Sequence, residues 1–455
     1  MLRIIGAVAA AAFVSTTSAV RHDHSSRGTA GDDSASFDVS ALLAAAHGVA
    51  PSVCSLAARA VGNGSWGRSS DAPVTPLGTS ADLRYLLDSR DLPAADVTRL
   101  LGALASDDPC VRELSVRLIG TQKNSSVAPE LLARLTSSNA SLRAIAALGL
   151  GLVDAKTAVD PLVHALGDAT VDVRANSAWA LGRIENGRAL PPLVSLFRDP
   201  SPVAREAAVI AVGRMDSTSS SAALIRTLQH DDVASVRRAA AWALGTLDAK
   251  DGVSVLATTL TNDSDAQVRE MSAWALGNLD DNAGASALER ALQKDADDKV
   301  RESAAWALGE LGDASATDVL AGAAESDKSA KVRGSAAWAI GQIGHTDSRA
   351  VAGLTRLLKE SDDNVRLRAA WALGQIEDST ALPEIDSALG IEKNADVRRA
   401  LIRALSKSGG NTAARMRVLI DSKDPQVREA AIRSLAGGRS FGPWPWPWPR
   451  PRPWP

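Results

Sequence analysis

The stretch VRESAAWALGELGD, residues 300–313, decides how this chain is read. Close copies follow the same wording: VRRAAAWALGTLD at 236–248, VREMSAWALGNLD at 268–280, VRGSAAWAIGQIG at 332–344 and VRLRAAWALGQIED at 365–378. With the arginine of the phrase as anchor, the units fall at Arg112, Arg143, Arg174, Arg205, Arg237, Arg269, Arg301, Arg333, Arg366, Arg398 and Arg428, in steps of 30 to 33 residues. Eleven units at that spacing predict a solenoid, in which each unit buries its face only against its neighbours.

Each unit reads as two helices. The first is short, as in VDPLVHALGD, where Asp160 is placed to cap and Pro161 fits the first turn. The second follows an Asp-rich loop, as in DADDKVRESAAWALGELGD, where Asp297 or Asp298 can cap. Asp108-Pro109, Asp199-Pro200 and Asp424-Pro425 take the same part elsewhere, and Gly-Asp or a similar pair closes many units. On the wheel of the second helix, Val300, Ala304, Ala307, Leu308 and Leu311 form the core stripe. Trp306 falls near 240° from Val300 and Gly309 at about 180°. The tryptophan therefore points along the stack or into a groove, and not into the centre of its own unit.

The period, the D…VR…AAWALG phrase and the alanine-rich helix pairs resemble HEAT-like repeats, in the short form associated with phycobilisome lyases, over roughly residues 97 to 436. The resemblance implies an all-α fold, an α-solenoid of about eleven two-helix repeats, with the second helices on the concave side. It also implies that loop aspartates pair with the phrase arginine between successive units. Carried over, Asp297 or Asp298 with Arg301 and their equivalents would form an electrostatic ladder. The end units depart from the pattern, with Arg117, Arg403 and Arg433 at the tryptophan position and Ser406 and Ala436 at the glycine position. Ile210 and Leu148 replace the tryptophan in two others.

Trp179, Trp242, Trp274, Trp306, Trp338 and Trp371 admit two readings. In one, each ring lies over the small surface of a neighbouring second helix and sets the superhelical rotation. In the other, the rings form a partly exposed ladder on the concave face that grips a proline-rich peptide or a sugar, with the indole N–H as donor. Arg238, Glu270, Glu302 and Glu310 nearby favour no single ligand charge.

Outside the array, residues 1–19 read as a cleaved signal peptide: a positive start, the apolar IIGAVAAAAFV and a small-residue zone ending at Ala19. A secreted or periplasmic protein is the expectation. Residues 20–36 read as a disordered linker, and 37–96 as a helical N-terminal cap with a long Gly/Ser/Pro loop. Cys54 and Cys110 are the two cysteines, and export makes a disulfide between them the expectation, alongside two buried thiols. Cleavage after Ala19 would leave Val20, Arg21 and His22 as a weak square-planar metal site, against a plain solvated tail.

Residues 437–455 end in GPWPWPWPRPRPWP, an extended polyproline-type tail carrying Trp444, Trp446, Trp448, Arg450, Arg452 and Trp454. It reads as a docking element for a partner or for the protein's own groove, as a membrane-surface contact, or as a spacer.

A net charge of −3 provides no global basic field, so no nucleic-acid partner is expected. No His-Glu dipeptide of the kind that ligates iron in deoxyhypusine hydroxylase, no HExxH, no Gly-x-Ser-x-Gly and no phosphate loop occurs in the sequence. No cofactor and no catalytic residue is assigned. The reading is a non-catalytic exported scaffold that binds a protein or peptide partner through the concave face. An enzyme-associated module, either a lyase-like chaperone or a regulator of an envelope peptidase, is the alternative, as is membrane-interface binding through the tail.

Overall fold

The computed structural model describes residues 38–48, 92–122, 127–215, 217–345, 347–408, 419–422 and 425–435. The signal stretch 1–19, the linker 20–36, Cys54 and the tail 437–455 lie outside these residues. Among the described residues the chain forms 22 α-helices and no β-strand. It divides into two compact units, one up to Met215 and one from Asp216.

In the first unit, α1 (Val39–Ala46) packs on α3, and four hairpins follow: α2 (Ala94–Ala103) with α3 (Pro109–Gly120), α4 (Ala128–Leu135) with α5 (Ala140–Leu152), α6 (Val159–Ala165) with α7 (Val171–Ile184), and α8 (Leu190–Ser195) with α9 (Pro202–Gly213). The second helices α3, α5, α7 and α9 pack in that order. In the second unit the hairpins are α10 (Ser221–His230) with α11 (Ala234–Thr246), α12 (Val253–Asn262) with α13 (Ala266–Asn278), and α14 (Ala285–Lys294) with α15 (Asp298–Leu311). They continue with α16 (Thr317–Ser326) and α17 (Ala330–Ile343), α18 (Ser348–Leu357) and α19 (Asp363–Ile376), α20 (Leu382–Ile391) and α21 (Ala395–Lys407), then α22 (Pro425–Leu435). Each second helix again packs on the next. This is α-solenoid architecture, and every one of the eleven phrase arginines lies on a second helix.

Helix starts follow the expected capping chemistry in part. Asp108 Oδ1 accepts from the amides of Cys110 and Val111, with Pro109 in the first turn of α3. Asn139, Asp265, Asp297, Asp362 and Asn394 cap α5, α13, α15, α19 and α21 in the same way. Two expectations are corrected. Asp160 sits inside α6, because a short 3₁₀ turn at Lys156–Ala158 begins the chain's rise one turn earlier. Asp199 does not cap α9, whose N-cap is Ser201, since its carboxylate is already held by an arginine. At the helix ends, Gly312 and Gly344 take left-handed φ of 67° and 69°, but Glu185 and Glu377 occupy the same role at 55° and 59°.

The core stripe is as expected: Val300, Ala304, Ala307 and Leu308 are fully buried, as are Leu288 of α14 and Leu320 of α16. Each fully buried leucine is worth about 1.5–3 kcal/mol.

The arginine ladder exists, with a different register from the one carried over from the resemblance. Arg301 clasps Asp327 in the next hairpin through Nε and Nη2 at 2.7 and 3.0 Å, while Asp297 caps its own helix. Arg143 holds Asp168, Arg174 holds Asp199, Arg237 holds Asp263 and Arg269 holds Asp295, all in this two-pronged way. Glutamates replace the aspartates for Arg333–Glu360 and Arg366–Glu392. Nη1 of each arginine meanwhile donates to the loop carbonyl six residues before it, as Arg301 does to Asp295 O at 2.9 Å. An acid such as Asp295 thus has its carboxylate held by the preceding unit and its carbonyl by its own. The partner is two residues earlier than Asp297 because Asp295 ends the first helix, within reach of the neighbouring guanidinium, and its Oδ1 also accepts from the Asp297 amide.

Burial is the largest single influence on the carboxyls of Asp263, Asp295 and Asp327 and pushes them up, but the arginine hydrogen bond, a backbone amide hydrogen bond and the nearby positive charges together outweigh it, leaving each below its ordinary 3.8. A lowered folded value stabilises above the unfolded one and is lost as pH falls through the folded one. Chemical unfolding should therefore be insensitive to these groups above about pH 5 and become easier as pH falls below about 4. Asp327→Ala strands Arg301, whose side chain is 5% exposed, and should cost about 3 kcal/mol. Glu185→Gly relieves a left-handed non-glycine residue and should raise the denaturant midpoint by about 1 kcal/mol equivalent.

Candidate partner-binding surface

The phrase tryptophan and glycine belong to one contact. A Cβ placed on Gly309 of α15 would lie 2.8 Å from Ala339 Cα and 2.8 Å from the Trp338 ring edge, both on α17. Gly245, Gly277 and Gly341 meet Ala275 and Trp274, Ala307 and Trp306, and Ala372 and Trp371 in the same manner. In the first unit Gly151 meets Ala180 and Trp179. Each indole thus covers the bare backbone of the preceding second helix. Trp242, Trp274, Trp306 and Trp338 are buried at 7, 8, 4 and 2% exposure, while Trp179 and Trp371 are half-buried. Trp338 and Trp371 also stack, with centroids 6.4 Å apart and planes 12° apart.

The six rings do not form one continuous open ladder, because four of them are buried. The four buried rings, wedged between second helices, offer no open platform, whereas Trp179 and Trp371 keep part of their surface exposed, and the indole nitrogen of Trp306 is buried with no acceptor among the described residues. Where the tryptophan is missing the seam persists: Gly182 lies against Ala211, with Ile210 in the ring's place. With Arg403 there instead, Gly374 stands off Ala404 at 3.1 Å.

What remains for a partner is carried by positions that differ from unit to unit. The residue after the ladder arginine is Arg238, Glu270, Glu302 and Gly334 in four successive second helices. The position takes a cation, an anion or glycine from one unit to the next, so the identity of Arg238, Glu270 and Glu302 is free to serve recognition. Glu270 and Glu302 are half-buried, and burial pushes both carboxyls above their ordinary 4.5. Around Glu270, Asp297 and Glu302 add to the rise while Lys299 and Arg238 oppose it. Glu302 is hydrogen-bonded with Ser335, which accepts from Arg368 Nη1 at 3.2 Å. Gly334 is where Arg368 crosses, since a Cβ there would meet Nη1 at 3.1 Å. No ion pair of Glu270, Glu302 or Arg368 closes to within 4.0 Å among the described residues. Glu302 of α15 and Arg368 of α19 are therefore desolvated charges of opposite sign that meet at Ser335 of α17.

Arg368 was not singled out by the sequence reading, and of the column after the phrase glycine, which holds Arg183, Arg214, Thr246, Asn278 and Glu310 in five successive units, Glu310 alone was. Aligning the units on their arginines and asking which columns vary would have found both. On the first-helix side, two open depressions of about 640 and 620 Å³ lie between α12 and α14 and between α14 and α16. They are lined by charged side chains of both signs, such as Lys250, Asp281, Asp318 and Arg349, and by short polar ones such as Ser254 and Ser326. Among the described residues no group of His, Cys, Asp and Glu is arranged to hold a metal, and no helix is long and apolar enough to cross a membrane. Cys110 is buried at the start of α3 and its expected partner Cys54 is outside the described residues, as are Val20, Arg21, His22 and the tail residues Trp444, Trp446, Trp448, Arg450, Arg452 and Trp454.

The family pattern for HEAT repeats matches residues 97–176, 159–245, 234–309, 286–365 and 351–436. No curated protein matches the sequence. Among solved structures, an engineered protein is 23% identical over 70% of this chain and 100% of its own, at a TM-score of 0.43. The complex of CpcE and CpcF of phycocyanin lyase from Nostoc is 24% identical, covering 50% of this chain and 92% of that one, at 0.33. A structure of Kap95p with RanGDP is 13% identical over 96% of this chain and 62% of that one, at 0.54. The likeness to Kap95p is one of fold.

Gly309→Ala should destabilise the second unit by about 2 kcal/mol, because the new methyl meets backbone and not a movable side-chain end. Gly102→Ala on α2, with nothing within 4 Å, should instead stabilise by about 0.5–1 kcal/mol. Denaturant titration of the two variants checks both signs.

Proposed function

The chain belongs to the HEAT-repeat family, and from that premise we propose that it is a non-catalytic scaffold whose second-helix face binds a protein or peptide partner. The observation that carries this reading is the presence of half-buried Glu270 and Glu302 at variable positions, with raised carboxyl pKa values and no direct ion pair among the described residues. Charges desolvated without an opposite charge in contact destabilise the fold that holds them. Their presence makes sense where a ligand completes them, and the ladder arginines, all structural, show the contrasting case of charges already satisfied.

The ligand that suits this face in the second unit is a cationic, proline-containing peptide. Arginine or lysine would meet Glu270 and Glu302, and proline rings would lie against the half-buried edge of Trp371. The tail 437–455 has this composition, with Arg450 and Arg452 among prolines and tryptophans, and acts as a second docking element for a neighbouring groove or for another partner. Export follows from the reading of residues 1–19 as a signal peptide, and in that setting the Cys54–Cys110 bond would tie the N-terminal region to α3.

Titrating a peptide of residues 441–455 into a chain ending at residue 440 tests the proposal. Saturable binding is expected, weakened about fivefold when Glu270 and Glu302 are both changed to glutamine. The same double variant should be slightly more stable than the parent at pH 7, by about 0.5 kcal/mol, because a raised carboxyl pKa means the charged form opposes folding there. Absence of saturable binding for this and for other basic proline-rich peptides would overturn the reading.

A further inference from the structure

The first joint of the array has the parts of the later ones with a serine in place of the acid. Asp168, Asp199, Asp295 and Asp327 each stand six residues before a phrase arginine, and six residues before Arg143 the chain has Ser137. In its other contacts Ser137 behaves as a ladder acid does. Its carbonyl accepts from Arg143 Nη1 at 2.9 Å, as Asp295 O accepts from Arg301. Its Oγ accepts from the Asn139 amide at 3.1 Å, as Asp295 Oδ1 accepts from the Asp297 amide.

The facing half of the joint is also in place. Arg112 of α3 precedes Ser137 by the same interval that separates Arg143 from Asp168 and Arg174 from Asp199. Its Nη1 donates to Ser106 O at 2.6 Å, the anchor that orients the guanidinium in the later units. There, Nε and Nη2 then close on a carboxylate at 2.7–3.0 Å. On Arg112 these two donors make no hydrogen bond among the described residues. The local acids are engaged elsewhere. Asp108 accepts from the amides of Gly48 and Cys110, both at 2.8 Å, and Glu113 pairs with Arg117. Arg112 and Ser137 are half-buried, and Ser138 and Asn139 beside them are exposed, so the joint is reachable from solvent.

We propose that this joint is a binding site for an aspartate or glutamate side chain of a protein partner, whose carboxylate seats in the Arg112 fork and supplies the rung that the sequence omits. Ser137 Oγ accepts from Asn139 and keeps its hydrogen to donate to the same carboxylate. A planar carboxylate matches a guanidinium fork in two-pronged geometry. Aspartate serves this purpose at Arg301 and glutamate at Arg366, so either arm length fits the joint. A polyanion fits less well: there is one fork, and exposed Asp107 follows Ser106 directly. The site lies at the loop edge between the first two hairpins. It makes no use of Glu270 and Glu302 and stands whether or not the reading of that face does.

The test treats the full chain with phenylglyoxal and reads the labelling rate of each arginine by peptide mass spectrometry. N-acetylaspartate amide, which carries one side-chain carboxylate, should slow labelling of Arg112 about fivefold at saturation, because a clasped fork has no free Nη2. Arg174 and Arg269 should be unaffected by it, and sodium chloride at equal ionic strength should not reproduce the effect on Arg112. Ser137→Asp places the acid in the chain itself. It should slow Arg112 labelling to the same extent without any additive and abolish the response to N-acetylaspartate amide. It should also unfold at a higher denaturant concentration than the parent, which separates a filled rung from a damaged fold. Arg112 labelling that N-acetylaspartate amide leaves unchanged, or slows equally in the parent and in Ser137→Asp, overturns the proposal. Protection by inorganic phosphate at lower concentration than by the carboxylate overturns it as well and reassigns the fork to phosphate.

Discussion

The distance between consecutive second-helix backbones governs the rest of this structure. At Gly182, Gly245, Gly277, Gly309 and Gly341 the next helix comes so near that even a methyl group would have to lie 2.6–2.8 Å from an alanine Cα. Helices at that separation have little room for core side chains between them, which is why alanine and glycine fill the seam. The indole then has a defined duty. It spans the step from one helix to the next and covers the strip of main chain that glycine leaves bare. Removing the tryptophan, as the chain itself does at Ile210, leaves the seam closed, so the close approach is primary and the ring is its cover.

Charges in the two units fall into two populations as a result. One is the arginine ladder, whose acids have lowered pKa values and whose guanidiniums are each engaged on two sides. The other stands on the second-helix face, with Glu270 and Glu302 raised and Arg183 and Arg368 lowered by burial. The first population stabilises the fold above the acid range. The second works against it at neutral pH. A surface that carries such charges at positions free to vary between repeats is adapted to something other than its own stability.

The repeat period, the two-helix unit and the core stripe were legible because they depend on local geometry: residue spacing, cap chemistry and the 100° advance of a helix. The ladder partner was misplaced by two residues. Asp295 and Asp297 look equivalent in the string DADD, and only the position of the neighbouring unit separates a carboxylate that reaches Arg269 from one that caps α15. The wheel placed Trp306 off the core correctly. It could not say whether the ring met solvent or Gly277, since that depends on how closely α13 and α15 approach. Arg368 was out of reach for a similar reason: its course over Gly334 to Ser335 crosses from one hairpin to the preceding one.

The overlapping register of the ladder bears on how such a chain can change length. Asp263, Asp295 and Asp327 each take one clasp from behind and offer one anchor to their own hairpin, so every module carries a socket and a plug of the same kind. Duplicating or deleting a whole module inside the second unit leaves no socket empty and no plug exposed. Growth by copying is thus compatible with the joint, whereas insertion of a partial module would break two clasps at once.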